Sequence, residues 1–286
     1  MSNLSVMILC GRSPRHLYVA NRLCEHARVV AIVQEAGTQW SVAKLKRLAH
    51  PAKLWRKAWR WARDRRRYHG GGEARFFFES EAPRLAREDL VTAVPHVDHP
   101  EVVALADRLR PDVIAVFGTS LIRGALLTRG RLGIFNLHGG LSPHYRGADC
   151  TFWALYNGEP DQVGCTLHRI DAGIDTGALV AHVSPEVAEG DGELRLFWRS
   201  VRDSAEAYVE MLDRLERGEY LGQRQPEKGR LYQVKDRGWR EERQLARRMR
   251  EGLLRGIHLP RRVRWYTGPQ RAPFADRRAV TARQAT

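Results

Sequence analysis

The stretch Gly133-Ile-Phe-Asn136-Leu-His138-Gly-Gly-Leu-Ser-Pro143-His-Tyr145-Arg-Gly147 decides how the rest of the chain is read. A short apolar run of β-branched and aromatic character ends in a turn rich in glycine and proline, which predicts a strand with Asn136 and His138 near its carboxyl end. Two apart on a strand, their side chains share a face. Just upstream, Asp112-Val-Ile-Ala-Val-Phe-Gly118 is apolar throughout, as a central parallel strand covered on both sides should be. Further out, Leu4 to Gly11 reads as a first strand, Arg15 to His26 as a helix with Leu17, Ala20 and Leu23 at helical spacing, and Ala27 to Val33 as a second strand. A strand–helix–strand start implies parallel pairing with a right-handed crossover, so the expected class is α/β with an open, mostly parallel sheet flanked by helices. The turn Gly11-Arg-Ser-Pro-Arg15 lacks the G-x-G-x-x-G fingerprint, which disfavours a dinucleotide there.

Ligands of open α/β sheets bind in the crevice outside the carboxyl ends of the strands, where Asn136 and His138 fall. The segment His168-Arg-Ile-Asp171-Ala-Gly173-Ile-Asp175-Thr-Gly177 adds a carboxylate, because Asp175 sits between glycines in a loop that can approach a ligand closely. An amide can donate to an oxyanion, an imidazole can pass a proton between amine and leaving group, and a carboxylate can orient that imidazole or a relay water. The set therefore suits acyl transfer without a serine or cysteine nucleophile. Singly, each residue also has a structural reading: Asn136 satisfying a turn, His138 packed, Asp175 shaping its loop. Their joint occurrence favours the site.

The motifs Asn136-Leu-His138, Leu141-Ser-Pro-His-Tyr-Arg-Gly-Ala148, Tyr156-Asn-Gly-Glu159, Gly164-Cys-Thr-Leu-His168 and Asp171 to Gly177 resemble the formyltransferase catalytic domain. That family includes methionyl-tRNA formyltransferase, phosphoribosylglycinamide formyltransferase and the sugar N-formyltransferases. The resemblance is strongest from Asp112 to Glu189 and fades after about residue 235. It implies a Rossmann-like fold and an Asn136, His138, Asp175 triad that moves a formyl group from 10-formyltetrahydrofolate to a primary amine. It also implies folate contacts at Ser120, Leu121, Ile122 and Asp171, with the backbone of the first three holding the pterin, and supporting roles for His168, Tyr145, Arg146 and Gly147. From the residues alone, Thr119 or Ser120 reads as a helix N-cap, and His168 as a packed histidine. The chain departs from the family at Gly139-Gly140, where Pro-Ser is common, which bears on the path of the loop and the identity of the acceptor.

The formal charge is +15, unevenly spread. Lys44 to Arg67 carries eleven Lys/Arg against the single acid Asp64, a net of +10, and Arg237 to Arg264 carries ten Arg against three Glu, a net of +7, so the remainder is about −2. The basicity thus belongs to two attachments on a nearly neutral body. The first, an insertion over Trp40 to Gly72, has Leu54, Trp55, Ala58, Trp59 and Ala62 on one side of a notional helix crowded by cations, the pattern of an interfacial membrane segment. A helix packed on the domain with a solvated basic face is the plainer reading, and a nucleic-acid patch the least favoured. Residues 1–222 form the expected catalytic domain and 223–286 a basic helical extension, disordered beyond Pro269.

Other expected elements are a buried strand at Phe76-Phe-Phe78 and helices over Pro100 to Arg110, Thr151 to Tyr156, Glu193 to Gly218 and Trp239 to Leu254. Strands are expected over Gln162 to Ile170 and Ala178 to Val187, with a segment near the acceptor over Gly229 to Asp236. Four scattered cysteines without ligand spacing predict reduced thiols and no metal. The lack of a basic n-region or an 18-residue apolar run predicts a cytoplasmic protein, peripheral at the inner membrane face if the insertion binds lipid. The expected acceptor is an amino sugar on a nucleotide or lipid carrier, since the segment after residue 222 lacks the strand pattern of the C-terminal barrel in the tRNA enzymes. The alternatives are a methionyl-tRNA formyltransferase-like enzyme, a formyltetrahydrofolate hydrolase, or a non-catalytic basic protein binding membrane or nucleic acid. The sequence assigns no oligomeric state.

Overall fold

The computed structural model describes residues 2–36, 51–79, 82–227 and 229–268. The first part of the Trp40 to Gly72 insertion and the tail beyond Pro269 lie outside the described residues. In chain order the elements are β1 (Ser2–Cys10), α1 (Pro14–His26), β2 (Ala27–Glu35), α2 (Pro51–Arg67), α3 (Gly72–Phe78), β3 (Val91–Val94), α4 (Pro100–Leu109), β4 (Val113–Phe117), β5 (Gly133–His138) and β6 (Tyr145–Gly147). They continue with α5 (Cys150–Asn157), β7 (Cys165–Arg169), β8 (Leu179–Ser184), β9 (Val187–Ala188), α6 (Glu193–Glu216), β10 (Arg230–Tyr232), α7 (Trp239–Arg250), β11 (His258–Leu259) and β12 (Arg262–Trp265).

Eight strands form one sheet in the order β12-β8-β7-β5-β4-β1-β2-β3. From β3 to β5 every pairing is parallel, and β7, β8 and β12 extend the sheet antiparallel. All five residues of β4 are buried, because helices cover both faces. On one face Leu17, Ala20 and Leu23 of α1 and Val201, Ala205 and Leu212 of α6 pack on Val6, Ile8 and Phe135. On the other, Val102 and Ala106 of α4 pack on Met7, Leu9 and Val116. The two alternating sets of β1 thus serve two separate cores. From α6, the fully buried Tyr208 hydroxyl accepts from Val116 N–H (2.9 Å) and donates to the Phe135 carbonyl (2.6 Å), tying β4 to β5 one residue before Asn136.

Two expectations are corrected. Phe76-Phe77-Phe78 is the end of helix α3, with Phe77 against Tyr18 (5.2 Å between ring centroids) and Phe76 against Trp198 (5.6 Å). A three-residue apolar run carries no period of its own, so the neighbours decide its conformation. The extension contains the expected helix, but it also contributes strands: β12 adds to the sheet beside β8, and β10 runs parallel to β6. Arg-Val-Arg-Trp alternates cations outward with Val263 and Trp265 against the core, a short edge-strand pattern hidden in an arginine-rich composition.

Candidate active site

Antiparallel pairing of β5 with β7 sets Asn136 opposite His168 and His138 opposite Thr166. Opposed residues share a face. Asn136 Nδ2 is 3.1 Å from His168 Nε2, while His168 Nδ1 lies 2.8 Å from the Arg169 carbonyl oxygen. A carbonyl only accepts, so Nδ1 carries the proton, and Nε2 accepts from the Asn136 amide; the tautomer is assigned from these partners. His168 thereby fixes the amide and leaves its second N–H for another acceptor.

Asp175 closes the cluster from the other side. Its Oδ2 is 3.4 Å from His138 Nδ1 and its Oδ1 3.5 Å from His168 Nε2. The residue sits at φ +50°, in the left-handed region, which aspartate tolerates better than most residues with a Cβ. Gly147 N–H donates to Oδ2 (3.0 Å), Arg146 donates twice to the Ile174 carbonyl (3.1 and 2.6 Å) and once to that of Gly229 (3.1 Å), and Gln225 donates to the Asp175 carbonyl (2.9 Å). Gly177 is obligatory, because a Cβ there would stand 1.7 Å from the Arg169 carbonyl oxygen.

Burial alone would raise the Asp175 carboxyl, but the two imidazoles and the Gly147 N–H outweigh it and hold the acid well below its ordinary value. Burial lowers the His138 imidazole below the usual histidine value despite that carboxylate. His138 Nε2 lies 3.0 Å from the Tyr145 carbonyl, so the neutral ring donates there and turns the Nδ1 lone pair toward Asp175. A neutral imidazole set between two acceptors is poised to take a proton. Cys150 Sγ lies 3.5 Å from His138 Nε2, but burial pushes its thiol far up, away from a nucleophilic thiolate.

These groups open on a cavity of about 470 Å³. Its lining includes the chain from Val116 to Ile122 and Ile170, and a cluster in which the Arg15 guanidinium lies 5.8 Å from the Tyr68 ring and 5.6 Å from that of Phe197, with Arg67 beside Tyr68 in sequence. Near His138 the Thr151 hydroxyl is buried and has no hydrogen-bond partner among the described residues.

Residues 25–212 match the profile of the formyl transferase family. The chain belongs to that family. It is 33% identical over 125 residues to a methionyl-tRNA formyltransferase from Chlorobium chlorochromatii and 38% identical over 128 residues to one from Geobacter metallireducens, each match covering 44% of this chain and 40% of the relative. The chain thus spans about two fifths of the length of these curated relatives. Among solved structures it shares its fold with a sugar N-formyltransferase from Shewanella sp. (18% identity, TM-score 0.53, covering 85% of this chain and 87% of the other). It likewise resembles glycinamide ribonucleotide transformylase 1 from Symbiobacterium toebii (21%, TM-score 0.51, 77% and 91%).

In this member of the family the predicted Asn136, His138, Asp175 and His168 converge on the cavity wall. Of Tyr145, Arg146 and Gly147 only Gly147 lines the cavity: the Tyr145 ring stacks behind it on Tyr232 at 5.6 Å with its phenol held by Glu159 and Asn157, Arg146 braces the Asp175 loop, and Gly147, at φ +87°, must be glycine because a Cβ would meet the Tyr232 carbonyl oxygen at 2.2 Å. Leu121 and Ile122 line the cavity. Ser120 lines it too, but its N–H and hydroxyl are both bonded to Glu35, each at 2.6 Å, so it anchors the loop. The N-cap expected at Thr119 or Ser120 is not formed, since the helical turn that follows is capped at Arg123. Asp171 is exposed and absent from the cavity lining; its Oδ1 accepts from Gly173 N–H (3.0 Å) and the Thr176 hydroxyl (2.7 Å), which shapes the loop that aims Asp175. Sequence reading missed Arg15, Arg67, Tyr68, Thr151 and Phe197. Arg67 and Tyr68 had a signal, the run of cations that brings α2 to the body.

Proposed function

We propose that this protein moves a formyl group from 10-formyltetrahydrofolate to a primary amine, and that the amine belongs to an amino sugar on a nucleotide or lipid carrier. The observation that carries the transfer is the contact of one ionised carboxylate, Asp175, with both His138 and His168 beside the Asn136 amide. The apolar side chains of Val116, Leu121, Ile122 and Ile170 and the backbone between them, all in the cavity lining, suit a flat heteroaromatic group with hydrogen-bonding edges, so these residues would hold the pterin. Bound there, 10-formyltetrahydrofolate supplies a formyl group on a nitrogen that can leave.

The chain's own residues do the rest. The free Asn136 N–H donates to the carbonyl oxygen as it gains charge, already aimed because His168 holds the amide. As the new C–N bond forms and the old one breaks, His138 Nδ1 takes the proton that the attacking amine loses and returns it to the departing nitrogen, with Asp175 at 3.4 Å stabilising the imidazolium in between. Within the same lining, the rings of Tyr68 and Phe197 and the polar groups of Arg15, Arg67 and Thr151 suit a hydroxylated ring. The curated relatives favour a second reading in which methionyl-tRNA is the acceptor. Incubation with 10-formyltetrahydrofolate and either nucleotide-linked amino sugars or methionyl-tRNA distinguishes the two: the amino-sugar reading expects a product heavier by one CO from the sugar arm, and product from the tRNA arm alone replaces it. Formate release without any amine identifies a hydrolase.

A further inference from the structure

Helix α2 faces the wrong way for an ordinary surface helix. At about 100° per residue, Trp61, Leu54, Arg65, Ala58, Ala62 and Trp55 fall within one arc of roughly 120°. Every one of them is exposed, with Trp61 at 63%, Trp55 at 56% and Leu54 at 48%. The side turned to the body is cationic: Arg67 pairs with Glu193 (2.6 Å), Arg63 approaches Glu242 (3.9 Å), and Trp59 lies half-buried under the Arg63 guanidinium. This corrects the sequence grouping in one respect, since Trp59 falls outside the apolar stripe, and it runs against the packed-helix reading with a basic face to water. Trp61 takes its place in the stripe, and the apolar face is the outer one.

We propose that this stripe docks in the headgroup region of an anionic lipid bilayer. Exposed tryptophans and leucine on a helix rich in arginine are the combination that partitions into such an interface, the apolar groups entering and the cations staying with the phosphates. Arg65, centred in the stripe and stacked 5.4 Å over Trp61, and Arg66 beside it supply that charge. A second copy of the chain is a poor occupant, because α2 carries eight Lys/Arg against Asp64 and would meet an equal charge of +7 across a two-fold axis. Nucleic acid gives no use to Leu54, Ala58 and Ala62. Because Arg67 and Tyr68, at the end of this helix, wall the cavity, a docked α2 sets the cavity mouth at the membrane surface. The docking surface stands whether or not the formyl-transfer reading holds.

The test is co-sedimentation of the full chain with phosphatidylcholine vesicles, with and without phosphatidylglycerol, at low and high salt. Tryptophan emission is followed in the same samples. Binding is expected only to the anionic vesicles, weakened by salt, with a blue-shifted emission. The Trp55→Ser/Trp61→Ser double variant should bind at least about tenfold more weakly, from lost apolar burial, with an unchanged melting temperature and unchanged formyl transfer to soluble amines. Absence of binding to anionic vesicles overturns the proposal, as does binding that the double variant retains in full. Two further results overturn it: a dimer that the double variant converts to monomer, or tRNA bound more tightly than vesicles through the same two tryptophans.

Discussion

At the cavity end Asp175, His138 and His168 are shut largely away from water, whereas on α2 Leu54, Trp55 and Trp61 are turned toward it. Each region departs from the usual sorting of polar and apolar groups, in opposite senses. The buried charge has partners at hand, with the Gly147 N–H donating to Asp175 and two titratable imidazoles 3.4 and 3.5 Å from its oxygens. The exposed apolar stripe is not compensated at all within the described chain. Compensation of the first kind is what a preorganised reaction centre requires, and its lack in the second is what a docking face requires.

The two arginine-rich segments draw the same distinction. Arg237, with a side chain 1% exposed, pairs with Asp149 (2.8 Å), Glu242 (2.8 Å) and Glu193 (3.2 Å) and lies 3.9 Å over Phe152, so the start of the extension clamps α5 and α6 together. The largest expected effect follows from this clamp. Arg237→Leu removes a buried cation shared by three part-buried carboxylates, of which Glu193 keeps Arg67, and should cost about 3 kcal/mol of stability, read as a shift of the urea midpoint; a change below about 1 kcal/mol would place Arg237 with the inert surface arginines.

Next in size, Asn136→Ala should lower turnover roughly 100- to 1,000-fold while the melting curve stays put, as loss of one preorganised donor does. A smaller effect separates Asp175 from a mere packing residue. With His138 as the proposed neutral base, the rate should be full near neutrality and fall as pH drops through its value, which burial sets below the ordinary 6.5. Asp175 pulls that value upward, so in Asp175→Asn the residual activity should show its acid limb at still lower pH. An acid limb that stays in place in the variant detaches Asp175 from His138. Smallest of all, Trp61→Ser should change stability by no more than about 0.5 kcal/mol; a loss of several times that would mean the stripe is already covered in the folded chain.

Much of the body was legible in the sequence because its signals are local. The apolar run Val113–Phe117 and the turn glycines after His138 each declare a strand and its end within a few residues. Asn136, His138 and Asp175 were legible as a set, since strand spacing and flanking glycines constrain where such side chains point. What eluded the sequence depends on partners far along the chain. Whether Phe76 to Phe78 coil or extend is decided by Tyr18 and Trp198, Ser120 is claimed by Glu35, and Asp171 is drawn into its own loop. The facing of α2 followed the same logic. Its wheel contains an apolar stripe whichever way it turns, and only Glu193 and Glu242 on the body decide that the arginines go inward.

The central claim is that Asn136, His138 and Asp175 act together on one carbonyl carbon. It is tested most directly by single-turnover release of tetrahydrofolate from 10-formyltetrahydrofolate in the presence of an amine, comparing the native protein with Asn136→Ala, Asp175→Asn and the variant carrying both. Groups acting as one unit should give a double variant hardly slower than the worse single one. Losses that multiply, or a native rate retained by either single variant, would contradict it.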